Sequence, residues 1–465
     1  MPGSRRGFVI AVALALPIAA SAQATIPAPM RASIDTMVRE VLARTGAPSA
    51  SIAIVKDGEI AYTNAYGNAR VSPALPATSS MRYSIGSVSK QITATAILLL
   101  AERHKLSLDD RVSKWIPTIT RAKDVTIRQL LSMTSGYQDY WPQDYVMPPM
   151  LIPTTADKIV DGWARKPLDF EPGSRWQYSN TNYVIAGLIV EKASGMPLVD
   201  FLRKNVFTPL HMESVMITDE GALGPTDPER YERFGLGPLR VAPKEARGWM
   251  YAAGELAMNS SDLARWDIAV IKQSILKPAS YHAQQTNMLL VDGRATGYGL
   301  GVSVGAFRGH RLISHGGEVS GFSTENQIFP DDRMAVVVFV NLFATDAQGD
   351  IANRISDMLF SSTDAATDKA VAQARDVFIA LQKGSVDRSL FTSNANAYFS
   401  DLAIGDFASS IGSCGTVTNT IQTSTSLRGG MTYRSYRLRC GSKNYSISEF
   451  VMPDGKIEQF IVTPS

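Results

Sequence analysis

Residues 81–110, "MRYSIGSVSKQITATAILLLAERHKLSLDD", decide how the rest of the chain is read. Ser87, two spacers and Lys90 stand at the head of a stretch from Val88 to Arg103 that is apolar almost all round, with Ile92, Ala94, Ala96, Ile97, Leu98, Leu99 and Leu100. A helix with no polar face is a core helix, so this segment predicts a buried central element. A spacing of three puts Ser87 and Lys90 one turn apart on the same face. At a helix start, free N–H groups and the helix dipole favour negative charge. Two readings of the pair stay open here. It is a nucleophile beside its base, or an N-cap serine with a solvated lysine.

Upstream, "APSASIAIVKDGEIAYTNAYGNAR" alternates apolar and polar residues around Asp57-Gly58, a hairpin signature. Downstream to about Met288 the text is helix and loop. "VTIRQLLSMTSG" reads as a helix stopped by Gly136 and "NTNYVIAGLIVEKASG" as one stopped by Gly195. "SSDLARWDIAVIKQ" offers Ser260 or Ser261 as its N-cap. Strand text then returns as "GYGLGVSVGAF", "HRLISHGG", "FSTENQIFP" and "MAVVVFVNLF", an antiparallel meander followed by the helix "GDIANRISDMLFS". The order implies an α+β fold, an antiparallel sheet flanked by helices with a helical lobe inserted. The polar run "SSTDAATDK" marks a boundary near residue 363. Beyond it, residues 364–465 read as a small accessory α+β domain ending in a hairpin at Asp454-Gly455.

The first residues, "MPGSRRGFVIAVALALPIAASAQA", have a basic start, a short apolar run and an A-x-A end. They read as a secretory signal over 1–22, too short to span a bilayer. An exported, soluble product without a stable membrane anchor is expected. Removing Arg5 and Arg6 leaves 44 basic against 43 acidic residues. With no basic patch interleaved with aromatics, nucleic acid is a poor partner. The five histidines show no metal-ligand spacing, and neither a metal nor a cofactor is expected. Export favours oxidation, so Cys414 and Cys440 are expected to form a disulfide; the alternative is a pair of buried thiols.

A lone S-x-x-K is weak. A second copy at Ser274 to Lys277, ahead of Pro278 and with no suitable helix expected behind it, shows how cheap the pattern is. Force comes from conjunction. After "SVSK", the sequence carries "YSN" (Tyr178, Ser179, Asn180) inside "FEPGSRWQYSNTNY", then "HGG" (His315, Gly316, Gly317) at a strand end, with "AAGELAMNSSDLARW" and "GYGLGV" between. In this order the boxes resemble the serine β-lactamase and penicillin-binding-protein superfamily, its class C-like branch of esterases, D-amino-acid peptidases and β-lactamases. The resemblance covers about residues 30 to 360 and implies a β-lactamase/transpeptidase-like domain over 25–362.

That resemblance implies an acyl-enzyme on Ser87, proton transfer through Lys90 and Tyr178, and a hydrogen bond from Asn180 to Lys90 and the substrate. It places His315 where many relatives carry Lys, lining the cleft beside substrate or Tyr178. It assigns the oxyanion hole to the N–H groups of Ser87 and Glu318, and Gly317 to close approach of the substrate backbone. On residue chemistry alone, Asn180 could instead cap a helix and Tyr178 simply pack. Exchanging Lys for a mostly neutral His weakens any carboxylate anchor, which points to ester or amide and peptide substrates ahead of β-lactams. D-amino-acid peptides and cell-wall fragments are candidates, in a periplasmic or secreted bacterial setting. The alternatives are a β-lactamase or penicillin-binding DD-carboxypeptidase, or a non-catalytic cell-wall-fragment sensor. Met133 departs from the family, which usually has His in "LLxHTSG". The aromatic loop "GYQDYWPQDYVMPPM" either shapes the pocket or packs on the lobe.

Overall fold

The computed structural model describes residues 25–143, 145–361 and 365–464. The expected signal over 1–22 and the boundary at 363 lie outside the described residues. Among the described residues, no helix is long and apolar enough to cross a membrane.

A seven-stranded antiparallel sheet organises the larger part. Its order is Ala74–Pro76, Glu59–Val71, Ser49–Lys56, Met334–Val340, Phe322–Phe329, His310–Val319 and Ser303–Phe307. The expected meander is present, and it closes against the N-terminal hairpin through Ser49–Lys56 paired with Met334–Val340. "MAVVVFV" is apolar at every position because both faces are covered. Ala335, Val337 and Phe339 face the inserted helices. Val336, Val338 and Val340 face the terminal helices Ala28–Thr45 and Ala347–Ser361.

The predicted central helix is Ser89–Glu102, buried from Ser89 through Leu100. It packs on Asn180–Ser194, which Gly195 ends in a left-handed conformation. Two expected boundaries are corrected. The helix in "VTIRQLLSMTSG" spans only Ile127–Leu131, held by a Thr126–Gln129 capping box, and stops well before Gly136. Met133, not a glycine, takes the left-handed turn at φ 61°. The N-cap of Ser260–Lys272 is Asn259, whose side chain accepts from the Asp262 N–H, rather than Ser260 or Ser261. A short helix, Pro278–Gln285, does follow the second S-x-x-K, but Ser274 and Lys277 are both exposed and make no dyad.

The C-terminal residues form their own four-stranded meander, Val417–Arg428, Met431–Cys440, Lys443–Val451 and Ile457–Pro464. With helices Ala365–Gln382 and Asp401–Ile411 it encloses a third core around Phe378, Phe399, Tyr436 and Phe460. Cys414 and Cys440 are joined as a disulfide, as expected.

Candidate active site

Ser87 lies in a single 3-10 turn, Gly86–Val88, that feeds the buried helix, rather than in the helix itself. Within Ser84–Gln91 it alone is not fully buried. Lys90 is completely buried one turn on. Its Nζ stands 2.8 Å from Ser87 Oγ, 2.8 Å from Asn180 Oδ1 and 2.8 Å from the Ala253 carbonyl. With two carbonyl acceptors fixed, a neutral amine spends both hydrogens on them and turns its lone pair to the serine hydroxyl. As an ammonium it donates to all three. The solvated-lysine reading is therefore excluded by the fold.

Tyr178 brings its ring within 5.0 Å of Lys90 Nζ, and the Tyr183 ring lies 5.6 Å away on the next helix. Asn180 is the first residue of its helix; the cap position is Ser179, which makes no side-chain cap bond. The capping alternative for Asn180 is thus replaced by its bond to Lys90.

His315 sits at the end of the sheet, its ring 6.2 Å from that of Tyr178. Nδ1–H donates to the Gly316 carbonyl at 2.6 Å, and Nε2 accepts from the Tyr298 hydroxyl at 2.9 Å. Burial, and then the charge on Lys90, pull its pKa down to about 4. The imidazole is neutral with both nitrogens occupied. It lies buried beside Tyr178 and carries no positive charge toward a substrate.

Gly317 is required by the packing of the protein itself. A Cβ there would lie 2.0 Å from the Ile85 carbonyl and 2.4 Å from Thr324 Oγ1. The close approach seen at this glycine is that of the loop carrying Ser87. The hairpin turn Ser320-Gly321 has positive φ at both residues, 31° and 90°, a type I′ geometry. It pairs Val319 with Phe322, so the next residue, Glu318, turns its N–H away from the Phe322–Phe329 strand. A Cβ on Gly86 would stand 3.0 Å from the Glu318 nitrogen, which puts this amide against the Ser87 turn. The Glu318 carboxylate points elsewhere, accepting from the Ala344 N–H at 2.6 Å.

Met133 is fully buried beneath "YSN". Its sulfur accepts from Ser179 N–H at 3.4 Å and Asn182 Nδ2 at 3.6 Å, while its carbonyl accepts from Gln177 N–H at 3.0 Å. A thioether acceptor thus fills the place where relatives usually have an imidazole. Of the aromatic loop, Tyr137, Tyr140 and Trp141 are buried in the lobe, whereas Tyr145 and Met147 are exposed. The sequence reading passed over Asp139 in the same loop. Its Oδ1 accepts from the N–H of Asn180 at 3.0 Å and of Trp141 at 3.1 Å, and its Oδ2 from Asn180 Nδ2 at 3.3 Å. Its one signal is a carboxylate set between aromatics, a signal that Asp144 in the same loop shares. Among the described residues, no cluster of His, Cys, Asp and Glu could hold a metal ion.

Residues 34–357 match the family model described as Beta-lactamase. The chain is 30% identical over 309 residues to penicillin-binding protein 4* of Bacillus subtilis, covering 63% of this chain and 67% of that protein. It is 27% identical to a D-aminopeptidase of Brucella anthropi over 66% of this chain and 59% of the relative. The chain thus spans about three fifths to two thirds of these relatives. Among solved structures, the octameric penicillin-binding protein homologue of Pyrococcus abyssi is similar over 94% of this chain and 96% of its own, with TM-score 0.63 and 20% identity. The D-amino acid amidase of Ochrobactrum anthropi SV3 covers 72% of this chain with all of its own, TM-score 0.63 and 23% identity. These likenesses establish the β-lactamase/transpeptidase-like fold.

Proposed function

Since this chain belongs to the beta-lactamase family of serine hydrolases, we propose that it cleaves uncharged ester or amide carbonyls, D-amino-acid amides and peptides among them, through an acyl-enzyme on Ser87. The observation that carries this reading is Lys90, buried and holding Ser87 Oγ at 2.8 Å. Ser87 Oγ attacks the carbonyl carbon while its proton passes to the Lys90–Tyr178 pair. The N–H groups of Ser87 and Glu318 receive the oxyanion. The bond to the leaving group breaks, the leaving group takes the proton, and water then hydrolyses the Ser87 ester.

The neutral, doubly bonded His315 supports substrates without a carboxylate at that position, and so disfavours efficient β-lactam hydrolysis. The names of the similar proteins, a D-aminopeptidase and a D-amino acid amidase, point the same way. The N-terminal signal pattern supports export to the periplasm or medium, where peptides released from cell-wall material are accessible substrates. A panel of activated short-chain esters, D- and L-amino-acid amides and penicillins tests this. Turnover of esters or D-amides, lost in Ser87→Ala, is the expected result. Efficient turnover confined to penicillins would overturn the substrate assignment.

A further inference from the structure

Asn180 has an amide that could stand either way round, and the acceptors on its far side, the Asp139 carboxylate and the Trp141 carbonyl, favour one. Its Oδ1 faces Lys90 Nζ at 2.8 Å, and its Nδ2 points to Asp139 Oδ2 at 3.3 Å and the Trp141 carbonyl at 3.4 Å. Turned over, the amide would set N–H against the amine and its oxygen against a carboxylate and a carbonyl. Every contact Asp139 makes here is with a donor, the Asn180 N–H, the Trp141 N–H and Asn180 Nδ2, which suits an ionised carboxylate. Lys90, Asn180 and Asp139 are thus joined in series, Lys90 Nζ to the amide oxygen and the amide nitrogen to the carboxylate.

We propose that Asp139 is a positioning residue that locks the Asn180 amide toward Lys90 and biases the protonation of the Lys90–Tyr178 pair. This rests on the acyl-enzyme reading of Ser87. Burial raises the carboxyl of Asp139, while the Trp141 and Asn180 N–H groups and the charge on Lys90 oppose that rise. Tyr178, Tyr183, His315 and Asp139 face Lys90; Tyr140, Tyr183, Tyr298 and His315 face Tyr178; Lys90 and Tyr140 face Asp139, and Asp219 and Glu245 act on Tyr140 in turn. Burial holds Tyr140 and Tyr183 far above the ordinary tyrosine range, and His315 is held down at about 4. Burial holds Tyr298 above that tyrosine range as well, so Asp139, ringed by donors, is a source of negative charge acting on the pair near neutrality. A nearby carboxylate favours both the ammonium of Lys90 and the phenol of Tyr178, so its removal favours loss of the proton from either.

The test is the pH dependence of ester turnover by the full chain, with Asp139→Asn, Asp139→Ser and Asp139→Glu beside wild type and Ser87→Ala. In both neutral variants kcat falls by about tenfold or more with KM within about twofold, and the acidic limb of kcat/KM moves down by about half a pH unit or more. Asp139→Glu, which keeps the charge, keeps the limb in place. Neutral variants whose limb superimposes on wild type overturn the inference. So does failure of both to fold, which would make Asp139 purely structural. If wild type shows no turnover that depends on Ser87, the acyl-enzyme reading itself falls, a result read independently of Asp139.

Discussion

Tyr298 donates its hydroxyl to Nε2 of His315 at 2.9 Å, and this bond fixes the imidazole as a neutral acceptor beside Tyr178. With its pKa at about 4, His315 does not titrate between pH 5 and 8. We expect His315→Gln to lower kcat/KM by about tenfold through lost support of Tyr178, with the acidic limb unmoved. A limb that disappears in this variant would show that His315 is itself the titrating group.

Gly317 and Ile85 set the distance between the sheet and the nucleophile turn. A methyl group added at Gly317 would lie 2.0 Å from the Ile85 carbonyl. Gly317→Ala must push apart the two amides assigned to the oxyanion. The expected outcome is a loss of at least about a hundredfold in kcat, the scale of removing one oxyanion donor, together with a lowered Tm. Unchanged kcat would mean that the Glu318 N–H is not part of the hole.

Glu325 pairs with Gly316 across the sheet, on the face where Gln327 bonds Asn353 of helix Ala347–Ser361. Burial raises its pKa from the ordinary 4.5 to about 7, with a hydrogen bond from Gln327 opposing. Its folded value being raised, the stability it contributes is complete below about pH 4.5 and is lost as pH rises through about 7. His315 acts oppositely: with its folded value depressed from 6.5 to about 4, stability is lost as pH falls through that window. Urea unfolding at pH 5 and pH 8 separates them. Glu325→Gln should be more stable relative to wild type at pH 8 than at pH 5, by at most about 3 kcal/mol. Equal differences at both values would place the Glu325 titration elsewhere.

The Cys414–Cys440 disulfide closes a loop of 26 residues within the C-terminal core. Replacing both by Ser is expected to destabilise that domain by about 3 kcal/mol on loop entropy. Ester turnover by the intact chain should stay within about twofold, because no residue of the Ser87 site comes from that core. Calorimetry and turnover on the same preparation check both halves.

What the sequence disclosed is what short-range pattern encodes. The all-apolar run after Lys90, the Asp57-Gly58 turn and the meander were legible because period and turn chemistry act over a few residues. The three boxes were legible through family resemblance, and the fold brings Ser87, Lys90, Tyr178, Asn180 and His315 together. Asp139 was not, because its partner Asn180 lies 41 residues on and nothing in a polar letter says which amide it faces. Nor was the true neighbour of Gly317, a carbonyl more than two hundred residues earlier. The early end of the helix at Leu131 was not legible because the left-handed residue that follows it is Met133, three residues before Gly136. Tertiary bonds from Ser179 and Asn182 to its sulfur accompany that conformation.

Attack by Ser87 leaves an acyl group on the protein, and the mass of the intact chain reports that step. Wild type and Ser87→Ala are mixed with an activated short-chain ester and quenched in acid within the first turnover. Wild type is expected to gain the mass of the acyl group while the leaving group departs, and Ser87→Ala neither to gain mass nor to turn over. An adduct that forms equally in Ser87→Ala, or hydrolysis undiminished in that variant, would contradict attack by Ser87.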